Sequence, residues 1–168
     1  RDSATSGRVE FTNRSGEMQD VGGWRTCGTV NGTSSNVYPK SLPANMMLAP
    51  DEVVVVHWNI SGTDGTPPNN FYTGTLSGSS WGSIAMYDES GSFSSVGANN
   101  SIESFVQWLS SAGRCNVGTD KGVWESCTSF VDVPMSSSIC LPAGADPTLA
   151  SSYVADATPD IGNDSGCN

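Results

Sequence analysis

The chain has 168 residues, 14% of them charged, and a net charge of -10 at pH 7, which suits one domain with a hydrophobic core of ordinary size. Its seven lysines and arginines form no cluster, so the composition argues against binding nucleic acid or an anionic membrane surface. No run approaches the ~20 apolar residues of a membrane-spanning helix, and we expect no membrane insertion.

Segments with period-2 alternation predict β-strands. In 8–13, Val9 and Phe11 alternate with polar side chains, as in a strand with one buried face. The 52–60 segment is apolar at nearly every position, which predicts a central strand covered on both faces. Further strand candidates are 71–76, 84–87 and 123–132. Short strands separated by Gly, Asn, Ser and Pro are typical of a sandwich or barrel.

The segment 101–111 fits two structures. Ile102 and Phe105 have helical spacing, and Asn100 with Glu103 fits a capping box. The same stretch is rich in aromatic and β-branched residues, which favour a strand. We favour the strand.

The composition changes near Pro134. Residues 134–168 are rich in Ser, Pro, Gly and Asp, which is typical of an extended tail without a core of its own. The sequence therefore predicts a β-domain at 1–133 and an extended tail at 134–168. We expect the tail to be held by a disulfide, by the body of the domain or by a neighbouring subunit.

The five cysteines indicate disulfides. They form no CxxC pair and have a single histidine to accompany them, which is poor material for zinc, whereas an oxidising exterior accounts for them well. The connectivity is open from sequence alone. We prefer Cys115 with Cys127, which closes a local loop, and Cys140 with Cys167, which pins the tail. Cys27 would then be buried and free, or bonded to another molecule.

A series of short motifs resembles the lamin-tail domain family, whose fold is an immunoglobulin-like antiparallel β-sandwich. The matching motifs lie in order along residues 7–132: Val9-x-Phe11-x-Asn13-x-Ser15, Gly23-Trp24, Tyr38-Pro39, Leu48-Ala49-Pro50, Val53–Trp58, Pro67-Pro68 and Trp81-Gly82 to Tyr87-Asp88. The closing segment 102–124 is similar to secreted bacterial members. The resemblance implies a domain for protein interaction, anchoring or surface display, with no catalytic residues. Lacking rod heptads and a basic surface, and carrying five cysteines, the chain departs from the nuclear members.

One motif hints at catalysis. Gly78-Ser79-Ser80-Trp81-Gly82 matches the G-x-S-x-G nucleophile elbow, with Ser80 as nucleophile. That elbow needs a following helix and a later histidine, whereas the only histidine, His57, comes earlier. A lone imidazole in an apolar strand is more often a sheet position with its own hydrogen bond than a general base. We expect no enzymatic activity and no cofactor.

Other polar residues have a functional and a simpler interpretation. Asp156, Asp160 and Asp164, with Asn163, are oxygen donors suited to Ca²⁺, but without EF-hand spacing we favour solvated carboxylates and expect no metal site. Sequons make N-glycosylation candidates of Asn13, Asn31, Asn99 and Asn163; a fifth, at Asn59, falls in a strand and is the poorest. Five tryptophans could line a sugar-binding face, but we favour core or rim positions for Trp24, Trp58, Trp81, Trp108 and Trp124.

The functional hypothesis is a secreted, non-catalytic structural protein that self-associates into an extracellular filament or surface assembly. A tail strand that completes a neighbour's sheet would provide the contact. Deleting 141–168 should then abolish assembly and leave the sandwich folded. The alternative is an adhesion module for glycans or cell-surface ligands, with or without Ca²⁺.

Overall fold

The computed structural model describes residues 7–30, 40–58, 60–65, 69–73, 82–91, 101–110, 115–132, 134 and 138–156. Strands dominate this part of the chain, so the fold is all-β, as predicted. The strands are β1 Gly7–Thr12, β2 Gln19–Asp20, β3 Arg25–Val30, β4 Lys40–Ser41, β5 Met47–Leu48, β6 Val53–Trp58, β7 Asn70–Thr73, β8 Gly82–Tyr87, β9 Ile102–Trp108, β10 Ser138–Cys140 and β11 Val154–Asp156. A short helix, α1, spans Cys115–Lys121.

Two sheets form the centre of the domain. The larger has the order β4-β3-β8-β9 with antiparallel neighbours, and the smaller has the order β1-β6-β7. Within the smaller sheet β1 and β6 are antiparallel, whereas β6 and β7 are parallel. The parallel pair departs from the purely antiparallel arrangement that the sequence led us to expect. Two further pairs, β2–β5 and β10–β11, are separate two-stranded sheets.

The two larger sheets share an inter-sheet core. It contains side chains from both, because β6 and β8 each send alternate residues towards the other sheet. Its buried members are Val21, Leu42, Leu48, Val54, Val56, Trp58, Phe71, Ile84 and Met86. Val9 and Phe11 pack against it from β1, so the predicted alternation of this strand is confirmed.

The opposite face of the larger sheet is also covered, by an outer core. Its buried members are Cys27, Ala85, Tyr87, Ile102, Phe105, Cys115, Val117, Trp124 and Val131. Since β8 contributes to both cores, all six of its residues are buried. It is therefore a second central strand, besides the predicted β6.

The segment 101–111 contains strand β9, and a β-bulge in this strand explains why its apolar residues have the spacing of a helix. Tyr87 pairs with Ile102 and Met86 with Ser104, so Glu103 is an extra residue in β9. An extra residue resets the alternation of a strand, which lets Ile102 and Phe105 face the same core although they are three positions apart. The preferred strand interpretation is confirmed.

The predicted strand at 123–132 is wrong. Apart from a bridge between Val131 and Trp108, this segment consists of turns and irregular backbone. The Gln107 amide holds it, donating to the carbonyl oxygens of Cys127 at 3.2 Å and Ser129 at 2.6 Å. Side-chain hydrogen bonds to these carbonyls take the place of a strand ladder.

The tail is folded over residues 138–156. β10 pairs with β11, and Ile139, Ala150 and Tyr153 pack against the outer core. This part of the tail is therefore held by the body of the domain, one of the three ways expected from the sequence, because its apolar residues pack against the outer core. The body of the domain supplies the contacts. Among the described residues, no helix is long and apolar enough to span a membrane.

Candidate functional site

His57 occupies a half-buried position in β6 with its own hydrogen bond. Its Nε2 lies 2.7 Å from Asn70 Oδ1, and its ring stacks on Tyr72 with centroids 4.9 Å apart and planes 13° from parallel. Both partners belong to β7, the parallel neighbour of β6. The imidazole therefore fastens one strand to the next, which agrees with the structural interpretation favoured from the sequence.

The surroundings of Tyr72 are filled by the same chain. A Cβ atom built on Gly62 would lie 2.2 Å from the Tyr72 ring, so only glycine allows this backbone to approach. Asp64 accepts a hydrogen bond from the Tyr72 amide at 2.9 Å and forms an ion pair with Lys40. The hydrogen bond from Lys40 holds the pKa of Asp64 below its usual value, with the Tyr72 amide acting in the same direction and burial opposing both.

The side chains around His57 are poorly suited to catalysis. A general base needs a nucleophile or a substrate proton within hydrogen-bond reach, and here the imidazole is engaged with an amide. Within the described ranges, no group of three or more His, Cys, Asp and Glu side chains could hold a metal ion. Ser80, the predicted elbow nucleophile, lies outside the described residues, as do Asp160, Asn163 and Asp164.

The cysteines stabilise the outer core. Cys115 and Cys127, the pair preferred from the sequence, form a disulfide with a Cα–Cα distance of 5.2 Å. Cys140 is also disulfide-bonded, and its predicted partner Cys167 lies outside the described residues. Cys27 is a fully buried thiol within the outer core. A bond from Cys27 to another molecule would require this core to open, so its burial favours the first of the two alternatives, a buried thiol.

Asn13 is a poor glycosylation candidate. Its side chain is buried, and its Nδ2 donates to the carbonyl oxygens of Glu17, Leu48 and Ala49 at 2.7, 2.9 and 3.1 Å. A glycan on this nitrogen would disrupt these bonds and has no room inside the fold. The prediction for Asn13 is therefore corrected: it fastens the turn after β1 to β5. The other candidates, Asn31, Asn99 and Asn163, lie outside the described residues.

The four tryptophans in the described part of the chain do not form an aromatic platform. Trp58 and Trp124 are almost fully buried, and Trp24 and Trp108 are half-buried and pack against the inter-sheet core. These four positions agree with the core or rim placement favoured from the sequence. Trp81 lies outside the described residues.

A surface feature was missed by the sequence reasoning. Met18 and Met47 are 56% and 50% exposed, more than any other large hydrophobic side chain among the described residues. Met47 lies in β5 opposite Asp20 of β2, and Met18 precedes β2 by one residue. We call these two side chains the methionine patch. The sequence gives little signal here. Met47 and Leu48 are consecutive apolar residues that face opposite sides of a strand, and the sequence does not indicate which of the two faces the core.

The chain matches no protein-family model and no curated protein. The case for a function therefore depends on the geometry: an internally satisfied histidine cluster, a disulfide-stabilised outer core and an exposed pair of methionines.

Proposed function

We propose that this protein is a secreted, non-catalytic interaction domain that binds another macromolecule through the methionine patch. Exposure of Met18 and Met47 is the observation that carries the proposal. Large apolar side chains left together at a surface mark interaction sites more often than isolated ones do, and the flexible thioether adapts to differently shaped partners.

The fold and the cysteine chemistry support the same proposal. Two sheets around a shared core suit an immunoglobulin-like sandwich of the lamin-tail kind, a scaffold for binding rather than catalysis. A disulfide between Cys115 and Cys127 suits an oxidising, extracellular compartment.

Self-assembly into a filament or surface layer is the second candidate. The observation that favours it is the position of β1, which among the described strands lies at the edge of its sheet, with six residues in unbroken register with β6. A regular edge strand is a template for pairing with another chain. The folded 138–156 segment and the buried Cys27 thiol remove two reasons for this candidate that the sequence offered.

Binding of the fluorescently labelled domain to the surface or matrix of the cells that secrete it tests the first candidate. We expect saturable binding that unlabelled protein competes away, and strong loss in the double variant Met18→Ser/Met47→Thr. Phe130→Ser is the control, because Phe130 is also exposed, at 38%, but lies outside the patch. Equal binding by the native domain and the double variant would refute the proposal.

Sedimentation velocity over a wide concentration range separates the two candidates. A binding domain stays near its 17.5 kDa monomer mass, whereas an assembling subunit forms larger species as concentration rises. Deletion of 141–168 does not serve as a test of assembly, since it would remove Ala150 and Tyr153 from the outer core and destabilise the domain itself.

A further inference from the structure

The methionine patch lies on a surface whose backbone is held in place. The β2–β5 pair fixes Asp20 opposite Met47, and the Asn13 amide fastens the Glu17 carbonyl to those of β5 and Ala49. A partner at this surface would meet a preformed backbone and would have to order only the two methionine side chains. Preorganisation of this kind lowers the entropic cost of binding.

Exposed carboxylates lie near the patch along the chain. Glu17 precedes Met18 directly, and Asp20 lies opposite Met47. Asp51 and Glu52 follow β5, and the Glu52 carboxylate accepts hydrogen bonds from the Ala49 amide at 2.8 Å and from Asn69 Nδ2 at 2.6 Å. We call these four side chains the acidic rim. The segments 13–22 and 43–52 contain a single basic residue, Arg14, so the surface is negative around an apolar centre.

We infer that the methionine patch binds a segment of a partner protein in which bulky apolar side chains alternate with lysine or arginine. This inference rests on the proposed function and names the chemistry of the partner. The apolar side chains would bury the two thioethers, and the basic ones would face the acidic rim. Charge complementarity of this kind selects the partner and speeds its encounter. A second copy of this chain is a poor partner, because its net charge of -10 repels an identical molecule.

Titration with a synthetic lysine–leucine amphipathic peptide tests the inference. With methyl-labelled methionine in the intact protein, we expect the Met18 and Met47 methyl signals to shift and the signal of the buried Met86 to stay in place. An otherwise identical glutamate–leucine peptide should not bind. Met18→Ser/Met47→Thr should weaken the binding of the lysine–leucine peptide by about tenfold or more, since both large apolar side chains lose the surface that they bury in the complex.

A matched pair of charge variants separates local recognition from the net charge. Glu17→Gln/Asp20→Asn removes two carboxylates of the rim, and Asp120→Asn/Asp132→Asn removes two exposed carboxylates elsewhere. We expect the first pair to weaken peptide binding several-fold more than the second. Equal weakening by both pairs, or unshifted Met18 and Met47 signals, would overturn the inference.

The outcomes also distinguish this inference from the proposed function. Cell-surface binding that depends on Met18 and Met47, together with no peptide binding, would retain the function and reject the basic partner. No binding in either assay would reject both.

Discussion

The inter-sheet core and the outer core lie on opposite faces of the same sheet, yet different interactions hold them together. Regular strands build the inter-sheet core, to which β6 and β8 contribute every second side chain, and this core buries Trp58 Nε1 without a hydrogen-bond partner among the described residues. In the outer core a short helix and irregular chain cover the sheet, and Trp124 Nε1 donates to the Ser129 carbonyl at 3.0 Å. Packing of apolar side chains between regular strands stabilises the inter-sheet core, whereas side-chain hydrogen bonds position the irregular chain in the outer core.

This difference predicts that single substitutions have larger effects in the outer core. Trp124 is almost fully buried and packs edge-on against Phe105, with ring centroids 5.7 Å apart. We expect Trp124→Ala to lower the free energy of unfolding by about 4 kcal/mol, through lost burial and an unfilled cavity. Urea denaturation followed by circular dichroism measures the change.

Trp58 provides the comparison in the inter-sheet core, where it is almost fully buried but its Nε1 has no hydrogen-bond partner among the described residues. Trp58→Ala should cost about 3 kcal/mol, because burial is lost and a cavity is left but no hydrogen bond is lost with the ring. If the two variants were equally destabilised, the outer core would not be the more sensitive region.

The disulfide between Cys115 and Cys127 is the next largest contribution. Closing a loop with a sequence separation of 12 restricts the unfolded chain and should be worth about 3 kcal/mol. We expect the double variant Cys115→Ser/Cys127→Ser to exchange amide hydrogens faster throughout 115–131 while β6 stays protected. Cys27→Ala, which removes a buried thiol of the same core but no crosslink, is the control and should speed exchange in 115–131 much less.

Removal of the Gln107 side-chain amide tests the irregular segment most directly. Gln107→Leu keeps the size of the side chain but removes the donor to the Cys127 and Ser129 carbonyls. The part-buried Cys127 carbonyl would lose its bond from Gln107, and the Ser129 carbonyl would keep only the one from Trp124 Nε1, so we expect a loss of about 2 kcal/mol in the free energy of unfolding. A thermal unfolding midpoint equal to that of the native protein would show that water replaces the amide without cost.

The regular strands could be predicted from the sequence, whereas the irregular segment of the outer core could not. The strands β1, β6, β8 and β9 are visible in the sequence through different signals. β1 alternates apolar and polar residues, β6 and β8 are mostly apolar because both of their faces are covered, and β9 is rich in aromatic and β-branched residues. The segment 123–132 gives a false strand signal, because the bonds from Gln107 that hold it have no periodic signature. The candidate site was also only partly predictable. The structural role of His57 follows from its position in an apolar strand. The exposure of the methionine patch could not be predicted, because it depends on which face of a two-residue strand meets the core.

Tyr153 joins the folded tail to the outer core and responds to pH. Its ring lies 6.0 Å from that of Trp124, and its hydroxyl donates to the Pro147 carbonyl at 2.9 Å. Burial raises the pKa of Tyr153 to about 12, and the negative charge of Asp146 adds to this effect. At neutral pH we expect Tyr153→Phe to cost only about 1 kcal/mol, the net value of one hydrogen bond.

Above pH 10 the sign of the pH effect follows from proton binding. An unfolded tyrosine ionises near pH 10, while Tyr153 in the folded protein keeps its proton until about pH 12. The folded state then holds more protons than the unfolded state, so stability is fully present below pH 10 and declines as pH rises towards 12. Tyr153→Phe removes the ionising hydroxyl and should make this decline shallower, as followed by unfolding midpoints from pH 8 to 12. An alkaline decline identical in the two proteins would mean that the 138–156 segment detaches before the domain unfolds, so that the tail and the outer core are less tightly coupled than their contacts indicate.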